Sequence, residues 1–120
     1  AAETVLSLSD DNLVLNEDNA AKEVLTLTWT EPDFGFSAAA LYSVQIDVQG
    51  GDFSNPQIIS VGGAFDKTFT VEELNAKLLS LSMLPNEEGV ASFRIKATLS
   101  EYQEIYSNTV NITVTPYSSL

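Results

Sequence analysis

The chain has 120 residues, 44% of them hydrophobic, with no cysteine or histidine and a net charge of -12 from 17 acidic and 5 basic side chains. That is enough sequence to bury one continuous core, but no apolar run approaches the about 20 residues that cross a bilayer. The missing Cys and His exclude disulfide staples, Cys/His metal centres and nucleophile systems built on histidine, and the acidic excess opposes nucleic acid and anionic membrane surfaces.

The first residues, AAETV, carry neither an initiator Met nor an apolar signal region, which reads as a processed or excised segment of a longer chain. Val5 to Leu8 and Leu13 to Leu15 flank the acidic turn SDDN and predict an edge strand broken into two pieces. After the polar loop NEDNAAKE, Leu25, Leu27 and Trp29 alternate with Thr26 and Thr28, the pattern of a strand with one buried face. Pro32 ends it, and EPDFGFSAAA is a loop. Tyr42, Val44, Ile46 and Val48 then alternate with Ser43, Gln45 and Asp47 up to the turn Gly50-Gly51. PQIISVGG and AFDKTFT are two further strands.

From Thr70 the period changes. Thr70 is an N-cap and Glu73 completes a capping box, while Phe69 and Leu74 form a hydrophobic staple. Val71, Leu74, Leu78 and Leu81 make one narrow apolar stripe, so a helix over 71–81 is predicted to lie on the edge of the β structure. Glu73 and Lys77 are spaced for an i,i+4 pair of about 0.3 kcal/mol. Beyond LPNEEG, Phe93, Ile95, Ala97 and Leu99 point inward and Ser92, Arg94, Lys96 and Thr98 outward; Val110, Ile112 and Val114 are the inward set of the last strand. The expected fold is all-β: a two-sheet sandwich of about seven strands, immunoglobulin-like or fibronectin-III-like, with one crossover helix.

Candidate sites are few. The carboxylate pairs Asp10-Asp11, Glu17-Asp18, Glu72-Glu73 and Glu87-Glu88 are adjacent residues in turns or at a helix start, whereas paired catalytic carboxylates face each other across a cleft. SDDN and NEDN cluster oxygen ligands without the spacing of a calcium loop. Asn111-Ile112-Thr113 is a glycosylation sequon, but it falls inside a strand. Arg94 and Lys96 share an outward face and can pair with acids such as Asp47 on the next strand. Sugar contact needs an exposed ring. Trp29 is in phase with the core, so the candidates are Phe34 and Phe36 in PDFGF, with Tyr102 and Tyr106 behind them. Their competing role is to plug the open end of the sandwich. No catalytic residue, cofactor or metal is expected.

Three segments, LYSVQIDVQGGDFSNP, KTFTVEELNAKLLSLSMLPNEEGVASFRIKATL and YSNTVNITVTPY, together resemble the N-terminal domain of SusE-type outer-membrane proteins of starch-utilisation systems. The resemblance covers roughly Leu25 to Tyr117, and Phe69 to Asn75 is its most specific piece. It implies an immunoglobulin-like domain of a lipoprotein anchored through an N-terminal Cys outside this segment and displayed on the surface of a Gram-negative cell. It further implies that polysaccharide is bound by later domains, beside a TonB-dependent transporter complex, and that this module is a non-catalytic spacer. The alternative is a module that contacts glycan or a transporter partner itself.

Overall fold

The computed structural model describes residues 3–34, 39–100 and 103–119. Nine strands and one helix come in the order β1 (Leu6–Leu8), β2 (Asn12–Val14), β3 (Glu23–Trp29), β4 (Leu41–Val48), β5 (Gln57–Gly62), β6 (Asp66–Thr70), α1 (Val71–Ser80), β7 (Gly89–Ser100), β8 (Gln103–Tyr106) and β9 (Val110–Thr115). They form two sheets, β1-β3-β6 and β2-β9-β7-β4-β5, with β8 beside β7. The fold is the expected immunoglobulin-like sandwich. Its strand number also agrees once β1 and β2 are taken as one edge strand that changes sheet, and β8 and β9 as successive partners of β7 along one side.

The alternation explains the sandwich. Leu25, Leu27, Trp29 and Phe69 of one sheet meet Val44, Ile46, Phe93, Ile95, Ile112 and Val114 of the other in a single buried cluster, so apolar area leaves water from both inner faces at once. The acidic turn between β1 and β2 is capped by Asp10, whose Oδ1 accepts from the backbone N–H groups of Asp11 and Asn12. That turn lets the edge strand leave β3, to which β1 is antiparallel, and run parallel to β9 as β2.

The helix starts at Val71 as predicted, with Thr70 Oγ1 accepting from Glu73 N–H at 3.2 Å. The N–H groups of Val71 and Glu72 go to the loop between β2 and β3, to Lys22 O and Ala20 O. Val71, Leu74 and Leu78 are buried and Leu81 packs beside them. The helix crosses from one sheet to the other and covers that end of the core.

Two expected pairings are replaced. Glu73 turns to Lys67 on β6, at 2.9 and 3.2 Å, rather than to Lys77 one turn on, because β6 leads straight into the helix and brings Lys67 alongside. Asp47 does not face Arg94: its carboxylate accepts from Val48 N–H and Phe53 N–H, so the turn after β4 folds over it. Lys96 does find a cross-strand acid, Glu104 on β8, at 3.2 Å. The strand β8 itself is not predicted from the sequence.

Candidate functional site

One end of the sandwich is aromatic. There Trp29 ends β3, Tyr42 begins β4 and Phe65 sits in the turn between β5 and β6. Their rings form a tilted series, Trp29 to Tyr42 at 5.9 Å and Tyr42 to Phe65 at 5.5 Å. Trp29 is buried, as its phase predicts, while Phe65 keeps 42% of its surface and Leu41 64%. Among the described residues the indole Nε1 of Trp29 is a buried side-chain donor without a partner. Burial, and secondarily Glu31, push the Tyr42 phenol above its ordinary range.

Of the two ring candidates from the sequence, Phe34 belongs to this end and is half-buried against the core. Phe36 lies outside the described residues, as does Tyr102. Phe65, absent from the sequence shortlist, is the exposed ring of the cluster. Its only sequence signal is a position just after Gly62-Gly63, where a turn lifts side chains off the sheet.

A second aromatic group lies on the outer face of the larger sheet. Arg94 is stacked between Tyr106, with its guanidinium carbon 3.9 Å from the ring centre, and Phe53, at 4.2 Å. Its Nε donates to Gln45 Oε1 at 2.8 Å, which leaves Gln45 buried on a face that alternation assigns to solvent. Phe53 has a left-handed backbone (φ 57), a conformation that costs an L-residue energy. Asp47 beneath it and Arg94 beside its ring hold it there. Gly51 is required in this turn, because a Cβ would overlap the Asp47 carboxylate. These groups satisfy one another and act as a latch over the sheet.

The opposite end is fastened by asparagine. Asn75, buried on α1, donates to Tyr117 O and accepts from Tyr117 N–H, both at 2.9 Å. Near the aromatic end Asn108 does the same to β1, accepting from Leu6 N–H at 2.8 Å and donating to Leu6 O at 3.2 Å. Each amide imitates the backbone of a neighbouring strand. Thus two polar residues of the family-like segments hold the incoming and outgoing chain. Burial raises the Tyr117 phenol too, with Glu72 and Glu17 adding to it.

Of the paired carboxylates, Asp10 caps its turn and Glu73 holds Lys67, while Glu17 and Glu72 line one open cleft beside Tyr117 and Glu87 and Glu88 line another. Among the described residues no group of three or more Asp or Glu is placed to hold a metal ion.

No curated protein matches the chain. Among solved structures it is similar to the periplasmic chaperone SfaE, at 17% identity and a TM-score of 0.40 over 94% of this chain and 57% of the chaperone. It therefore spans little more than half of that protein's length. The family model "SusE outer membrane protein" matches residues 1–96. The match begins upstream of Leu25, at the first residue, and stops before the YSNTVNITVTPY segment. This chain belongs to the SusE family of outer membrane proteins.

Proposed function

We propose that these 120 residues are one non-catalytic spacer module of a longer, surface-exposed lipoprotein, holding carbohydrate-binding domains away from the outer membrane. The observation that carries this reading is the path of the chain. β1 starts beside Trp29 at the aromatic end, and β1, β2 and β9 all run toward the α1 end, where Tyr117 leaves. A module with a long axis of 47 Å against 27 and 21 Å, threaded from end to end, keeps its two neighbours in a longer chain apart. Polysaccharide would be held by other domains, near a TonB-dependent transporter complex, and the lipid anchor would lie outside this segment. Isothermal titration of the isolated domain with starch-like oligosaccharides should give no binding heat. Micromolar binding would overturn the spacer reading.

A second reading is favoured by one specific observation, the exposed Phe65 ring beside the unpartnered Trp29 indole. An apolar sugar face could stack there, with Phe34, and Phe36 two residues further along the chain, as additional rings. Under that reading Phe34→Ala, Phe36→Ala and Phe65→Ala each remove binding while the domain stays folded, its melting temperature falling by no more than the few degrees that about 1 kcal/mol costs. If Phe34→Ala instead lowers the melting temperature further and no sugar binds the parent, the rings are a plug.

A further inference from the structure

Load on a spacer enters through one terminal strand and leaves through another, and here the two lie side by side. β2 pairs with β9 in parallel at Asn12/Thr113, Leu13/Val114 and Val14/Thr115. The ladder is extended on both sides, by Thr113 N–H to Asp11 O and Leu15 N–H to Thr115 O, each 2.9 Å. Leu13, Leu15 and Val114 are buried along it, so water reaches these bonds from one side only. We infer that the β2–β9 pair is a shear clamp that makes the module resist extension along its own axis.

The geometry depends on direction alone. Two parallel strands pulled from opposite ends must slide past each other, and their cross-strand bonds are strained together. Pulled from the same end, they peel and the bonds break one after another. The incoming chain precedes β2 at the aromatic end and the outgoing chain leaves β9 at the α1 end, so a pull through the protein is of the first kind. Both approaches to the clamp are fastened. β1 is tied to β3 from Leu6 to Leu8 and to the Asn108 amide. Beyond β9, Pro116 O accepts from Asn86 N–H at 2.8 Å and Tyr117 is held by Asn75. The inference rests on the spacer reading for its purpose, since a module between an anchored end and a polymer-holding end carries the pull of the polymer.

The chain has no cysteine, so thiol handles can be placed at will. Glu3→Cys with Ser119→Cys pulls through opposite ends. Asp18→Cys with Ser119→Cys pulls β2 and β9 apart from the same end, where Glu17 and Ser119 line one cleft. All three positions are exposed, and both variants should melt like the parent. Single-molecule force spectroscopy should give an unfolding force several-fold higher for the first pair, as the bonds of the ladder fail together rather than one after another. Equal forces, or a higher force for the second pair, would overturn the clamp. Titrating the same variants with starch-like oligosaccharides separates the two ideas. Sugar binding together with force asymmetry refutes the spacer and keeps the clamp. Neither binding nor asymmetry keeps the spacer and refutes the clamp.

Discussion

The two ends of the sandwich solve the same problem in different ways. At the α1 end the core is covered by Leu74 and Leu78, both fully buried, and the buried amide of Asn75 is satisfied by Tyr117. At the aromatic end three rings cover it, one of them substantially exposed, and a buried indole N–H has no partner among the described residues. A helix satisfies its own backbone and offers a full apolar stripe, so it seals tightly. Rings carried by turns cover area without satisfying everything beneath them. The α1 end is therefore the tighter seal and the aromatic end the looser one.

Breaking the sealed end should have the largest effect. Leu74→Ala or Leu78→Ala should each cost about 2–4 kcal/mol in chemical denaturation, because each empties a fully buried site. A near-zero cost would mean the stripe is not buried in solution. Asn75→Ala comes next, at about 2 kcal/mol, since it leaves Tyr117 N–H and C=O without their partner. Hydrogen exchange at Tyr117 should rise in this variant while β3 stays protected. At the other end Phe65→Ala should cost only about 1 kcal/mol, the worth of its contact with Tyr42. A loss as large as that of Leu74→Ala would erase the distinction between the ends.

The smallest effect concerns pH. Tyr42 and Tyr117 both have folded-state values raised above 10.0, chiefly by burial. Below the unfolded value the proton is held in both states and stability does not change on their account. Above it the unfolded chain ionises first, so stability falls as pH rises through the interval up to the folded values. Tyr42→Phe should flatten part of that alkaline decline in a series of thermal melts, and an unchanged slope would sink the assignment.

Much of this architecture can be read from the residues, and the parts that cannot share a cause. β3, β4, β7 and β9 are legible because each buries one face, and period-two alternation reports a buried face directly. The helix is legible because Thr70 caps it locally. Gln45 and Asp47 are misplaced by the same rule: alternation puts them outside, yet a turn and a stacked arginine cover them, and alternation has no knowledge of either. Glu73 prefers a lysine on another element to the one on its own helix. Asn75 looks like one more polar residue behind the stripe, because its partner lies 42 positions further along the chain. β8 has only four residues and depends on β7 for its pairing. At the aromatic end the ring of Phe34 follows from its loop, but Phe65 does not, because its exposure is set by a turn between two strands.

The central claim, a rigid spacer threaded from end to end, is tested most directly by the separation of its ends. Spectroscopic labels at Glu3→Cys and Ser119→Cys report that distance with and without starch-like oligosaccharide. The account predicts one narrow separation of the same order as the 47 Å long axis, unchanged by sugar. A short or broad distribution, or one that shifts when sugar is added, would contradict it.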